Sequence, residues 1–153
     1  MRTDRTSREV TVPALERGLE RSGRTRGQLE ISFPAFVVTG STEEEMAKSD
    51  RATREQIAFY GSTPAYVGVL EHHGWGEAHG ELNALSKQGR WKEMGELIDD
   101  DMLQTFAVVG EPEQLAAGLA ERFGDVVDRV SFYAPYASDP DRWTTVMRQI
   151  HAA

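Results

Sequence analysis

TFAVVGEPEQLAAGLAERFGDVVDRVSFYAPYA, residues 105–137, holds one full cycle of a repeating architecture. Its opening apolar run ends at Gly110, and Pro112 falls where the first turn of a helix needs no N–H donor. Leu115, Leu119 and Phe123 then recur at i, i+4 and i+8, the stripe of a helix with one buried face. Gly124 stops that helix, and beyond it Val130, Phe132 and Ala134 alternate with Arg129, Ser131 and Tyr133. Strand, helix, strand in this order is a βαβ unit with parallel strands. A final helix is expected over residues 140–151, capped by Asp139 and burying Trp143, Val146 and Ile150.

Upstream, ISFPAFVVTG, residues 31–40, reads as another strand. Ile31, Phe33, Ala35 and Val37 share one face, and Phe36 and Val38 lie on the other. Apolar residues on both faces mark a strand covered by helices on both sides. Pro34 argues against a central position, because it has no N–H to give a ladder. The predicted class is therefore α/β, with about three parallel strands.

Helical patterns fill the rest. Residues 7–22 carry Val12, Leu15 and Leu19 at helical spacing, with Pro13 starting or kinking the regular part. Residues 22–30 read as a turn region. STEEEMAKSDRATREQIAFYG, residues 41–61, opens with Ser41 or Thr42 as N-cap, has Glu44 and Glu45 placed for a reciprocal capping bond, and ends at Gly61. Shorter helices are expected over residues 63–73, 77–87 and 90–103, punctuated by glycines.

Composition limits the function classes. The 153 residues are 39% hydrophobic and 27% charged, the profile of one globular domain. A net charge of −8 argues against general affinity for nucleic acid or anionic membrane. Arginines crowd the start, where a solvated helix face with local pairs such as Arg17 with Glu20 is the plain reading. Cysteine is absent, which excludes disulfides and thiolate sites and suits a cytoplasmic protein. No apolar run approaches a bilayer span, and no secretory signal opens the chain.

The segments REQIAFYGSTPAY, HGWGE, ELNALSKQGRW, EMGELIDDDML and FAVVGEPEQLAAGL together resemble the C-terminal part of the luciferase-like monooxygenase class. The resemblance is greatest to its actinobacterial branch of coenzyme F420-dependent oxidoreductases and runs from about Arg8 to Trp143; residues 1–8 depart from the pattern. It implies a (β/α)₈ barrel, and since such barrels need about 250 residues, residues 1–153 are expected to form a single partial barrel domain. Residues 61–104 are its helical insertion and residues 105–153 its last βα units. The implied reaction is hydride transfer or monooxygenation of a small-molecule substrate with reduced F420, or alternatively FMN. Most cofactor contacts are then expected in the earlier strands and loops, which this chain does not contain. The other reading is a truncated, non-catalytic remnant that self-associates or joins a full-length barrel. No catalytic residue is assigned.

Several clusters have two readings. Tyr60, Ser62, Thr63, Tyr66 and Trp75 either line the pocket above the barrel, touching substrate or the deazaflavin edge, or form a helix corner packed on its neighbour. His72, His73 and His79 with Glu71 suggest a metal, but adjacent histidines on a helix point about 100° apart, and a partly exposed helix end is the favoured reading. Asp99, Asp100 and Asp101 are expected to cap a helix. Gly110 to Pro112 is either an anion site or a tight turn.

Overall fold

β1 (Ser32–Val38) is the centre of the sheet. In the computed structural model, which describes residues 3–150, it pairs in parallel with β2 (Ala107–Val109) on one flank and β3 (Arg129–Tyr133) on the other. Among the described residues the sheet has three strands, ordered β2-β1-β3. The two-faced apolar pattern of β1 has a direct cause. Phe33, Ala35 and Val37 pack with Leu115, Leu119, Phe123 and Val146 on one side, and Phe36 and Val38 enter a second core on the other. Pro34 is tolerated because β2 spans only the partners of Phe36, Val37 and Val38, so no strand lies opposite it on that flank.

The helices follow from caps and stripes. α3 (Glu43–Gly61) is capped by Thr42, whose side chain accepts from Glu45 N. A 3₁₀ turn (Pro64–Tyr66), α4 (Val67–His72), α5 (Ala78–Lys87), α6 (Trp91–Glu96) and α7 (Asp100–Phe106) come next. The single helix expected over residues 90–103 is thus two, broken where Asp99 takes an extended backbone and accepts from Met102 N at 2.8 Å. Ile57, Leu70, Leu82, Met94 and Phe106 gather these helices over the Phe36 face of the sheet. α8 (Pro112–Phe123) and α9 (Pro140–Ile150) cover the opposite face. Gly118 lets α8 settle on β2, since a Cβ there would stand 2.9 Å from Val108 Cγ1. The turn of α9 expected at residue 151 lies outside the described residues.

The start of the chain differs from expectation. Helix begins at α1 (Asp4–Thr6), passes through a π turn (Ser7–Thr11) and continues as α2 (Val12–Ser22), which Gly23 ends at φ 66. Instead of an Arg17–Glu20 pair, Arg5 bonds Glu9, Arg8 bonds Asp125 and Arg26 bonds Asp128. Thr3, Thr6 and Ser7 are buried against the body of the protein.

Candidate functional site

Two adjoining clefts lie at the carboxyl ends of the strands. The larger, 1340 Å³, is bounded by the loop after β1, one side of α3, α6 and the turn after β2. The smaller, 360 Å³, shares Ser41, Thr42, Pro112 and Glu113 with it and reaches the start of α9. The carboxyl ends of parallel strands are where α/β proteins place ligands, because the helix N-termini and loops converge there. Gly40 makes the bend possible. A Cβ on it would collide with the backbone of Glu45 and Met46, so the loop folds directly onto the first turn of α3.

The electrostatics of these walls are acidic. Glu43, Asp50, Glu55, Glu96, Glu111 and Glu113 face the larger cleft against Arg51, Arg54 and Lys92. Arg54 is already held by Asp50 at 2.7 Å and by Asp100. The helix ends are also taken. Glu45 Oε2 accepts from Ser41 N at 2.8 Å and from the buried Arg142 at 2.6 Å. At α8, Glu111 and Gln114 form a capping box, so the tight-turn reading of Gly110 to Pro112 holds. The orphaned polar atoms beside the clefts, Thr39 Oγ1 and Arg142 Nε, are sealed from the surface. Flavin mononucleotide and F420 both carry a phosphate. The walls supplied here do not fit that group: its natural positions are filled by the protein's own carboxylates.

The five residues singled out from the sequence lie elsewhere and line neither cleft. Four sit at one corner. Tyr60 packs edge-on against Phe36 (6.0 Å) and Tyr66 (5.1 Å) and lies 6.5 Å from Tyr133. The Ser62 and Thr63 hydroxyls both donate to Phe59 O, at 2.7 and 3.2 Å, closing the end of α3. Asn83 donates to Ser62 O, and His79 Nδ1 shares a hydrogen bond with Gly61 O. Trp75 stands apart, stacked on His73 at 5.3 Å and tilted against Phe106. Among the described residues no group of acids and histidines is arranged to hold a metal ion, and no helix is long and apolar enough to cross a membrane.

Sequence reasoning missed the polar residues that shape the clefts. Arg142 is 8% exposed and ties α9 to the first turn of α3. One signal was available: Arg142, Val146 and Ile150 stand at i, i+4 and i+8 on one helix face. The Asp50–Arg54 pair was legible from its i, i+4 spacing, whereas the contact with Asp100 joins distant segments.

Residues 2–129 match the luciferase-like monooxygenase family, and the chain belongs to it. An uncharacterised protein of Mycobacterium tuberculosis is 58% identical over 122 residues, covering 80% of this chain and 36% of that protein. A 5,10-methylenetetrahydromethanopterin reductase of Methanopyrus kandleri is 27% identical over 137 residues, 88% of this chain and 38% of the reductase. The reductase of the same name from Archaeoglobus fulgidus is 26% identical over 138 residues, 86% of this chain and 40% of that protein. The chain thus spans 36% to 40% of the length of these curated relatives. Its three parallel strands, flanking helices and helical insertion agree with the partial barrel implied by the sequence.

Proposed function

We propose that this chain contributes the strand ends and helical insertion of a luciferase-like oxidoreductase, which transfers hydride or oxygenates a small molecule using reduced F420 or a flavin. Family membership over residues 2–129 carries this reading, and the likeness to two methylenetetrahydromethanopterin reductases supports it. The phosphate end of the cofactor does not fit the acidic walls of the clefts, so no step of the reaction is routed through them. What this chain offers a planar ring is aromatic and hydroxyl surface near Tyr60, Tyr66 and Trp75, with the remaining contacts supplied by earlier parts of the barrel.

A second reading is favoured by those acidic walls: a non-catalytic remnant that persists by association. Titration of the chain with F420, FMN and riboflavin, followed by cofactor fluorescence, separates the two. On the oxidoreductase reading quenching occurs at micromolar protein. FMN and riboflavin then bind within about threefold of one another, because six acidic side chains stand against three cations on the wall of the larger cleft. Absence of quenching removes the enzyme reading for this chain. A tenfold preference for FMN overturns the electrostatic reading of the clefts.

A further inference from the structure

Three helices begin at the adjoining clefts, and each N-terminus already holds a carboxylate of this chain. Glu111 caps α8 in its box with Gln114, and Asp139 accepts from Asp141 N at 2.9 Å at the start of α9. α3 is different. Thr42 caps it by accepting from Glu45 N, so the helix end does not need the Glu45 carboxylate. That carboxylate reaches elsewhere: its Oε2 accepts from Ser41 N at 2.8 Å and from Arg142 at 2.6 Å. Arg142 is 8% exposed and lines the smaller cleft, and its Nε finds no partner. The Glu45 side chain, by contrast, is 43% exposed and tied through that single oxygen. A backbone N–H ahead of a long helix, joined by a buried guanidinium, is a donor set that takes an oxyanion.

We infer that the Glu45 carboxylate occupies an oxyanion site and thereby closes it to a phosphate group, making Glu45 a specificity-determining residue. Direct occupancy differs from diffuse repulsion. Glu113, Asp139 and Asp141 border the same cleft but are exposed, where physiological salt screens charges beyond about 8 Å. Glu45 instead touches the very donors a phosphate would need, and one site cannot hold both. A tethered carboxylate competes at an effective concentration of about millimolar or more, so dilute phosphate does not displace it. Removing the side chain leaves the Ser41 N–H and the Arg142 guanidinium facing the space it filled, since Arg142 is held in place by its burial on α9. Only the extension to a phosphate carried by a flavin rests on the oxidoreductase reading.

Thermal melting of the whole chain at constant ionic strength provides the test. The probes are inorganic phosphate and formate, a carboxylate close in size to the group removed. Glu45→Ala is expected to melt below wild type in chloride. With about 20 mM phosphate it should recover at least about 3 °C beyond any shift of wild type, because an anion bound only by the folded variant stabilises it. Glu113→Ala, which removes an exposed acid from the same wall, is expected to respond as wild type does. Glu45→Gln keeps an acceptor for both donors and carries the test if the alanine variant does not fold; its phosphate shift should exceed that of wild type by at least about 1 °C. No added shift in either Glu45 variant overturns the inference. So does recovery with formate alone, which would mean a site for carboxylates only, or an equal response in Glu113→Ala, which would mean repulsion without occupancy. These melts contain no flavin, so the oxidoreductase reading stands or falls separately. In Glu45→Ala, FMN is expected to gain at least about tenfold over riboflavin in cofactor quenching. An unchanged ratio beside recovery with phosphate overturns the extension to the cofactor.

Discussion

His73 receives the first turn of the chain on its ring. Its Nε2 lies 2.8 Å from Thr3 Oγ1 and 3.3 Å from Thr6 Oγ1, and both threonines are buried. Burial foremost, then the nearby Arg5 and His72, hold its pKa below 6.5, although Asp4 and Glu9 oppose the shift. The sign follows from linkage. The unfolded chain takes up a proton at a pH where folded His73 still resists it, so this contribution is complete above 6.5 and is lost as pH falls below it. Melting curves are expected to show a midpoint falling between about pH 6.5 and pH 5, before most carboxylates protonate, with a shallower fall in His73→Gln. A profile unchanged by His73→Gln would show that the ring does not anchor this segment. The paired histidines were conspicuous in the sequence, but their partners were not, because Thr3 lies 70 residues away.

At the scale of elements, α8 shows both what local pattern reveals and where it stops. Pro112, the Leu115–Leu119–Phe123 stripe and Gly124 were legible because each acts within a turn or two of its neighbours. The role of Arg122 was not. From the last turn of α8 it binds three carbonyls around the α7–β2 junction and also reaches Asp4 at 3.2 Å. Arg8 returns the connection by donating to Arg122 O and Asp125. One guanidinium therefore seals a sheet edge and fastens the N-terminal segment to it. Arg122→Ala is expected to destabilise the protein by about 3 kcal/mol, since it strands several carbonyls and a carboxylate. Urea unfolding monitored by circular dichroism measures this. Arg122→Lys should recover less than half, because an ammonium cannot span the same acceptors.

For the whole molecule, strand order is the decisive feature. The strands do not lie in chain order, for β1 separates β2 from β3. The chain between β2 and β3 must cross β1, and it does so through α8 on the face opposite α3 to α7, where α9 then packs beside α8. Hydrogen exchange reads this arrangement amide by amide. Ala35, Val37, Ser131 and Tyr133 are expected to exchange slowly in dilute protein. Val130 and Phe132 should exchange at least about tenfold faster, since opening free energies track the pairing of each amide. Equal protection along β3 in the monomer would mean that its outer edge is covered.

By itself the sequence determined the composition of the layers: a strand apolar on both faces at residues 31–38, a helix with one stripe over residues 112–123, and caps at Ser41 or Thr42 and within the run Asp99, Asp100 and Asp101. Each depends on spacing within a few residues, and side-chain period and backbone capping act over that range. Only the tertiary structure decided which flank of β1 takes β3, which sheet edge is left open, and where the first turn docks. The alternation of Val130 and Phe132 satisfies either flank of β1 equally, so the choice fell to contacts between segments far apart in the chain: Phe132 on Trp143, Tyr60 beside Tyr133, and Arg122 on the β2 edge.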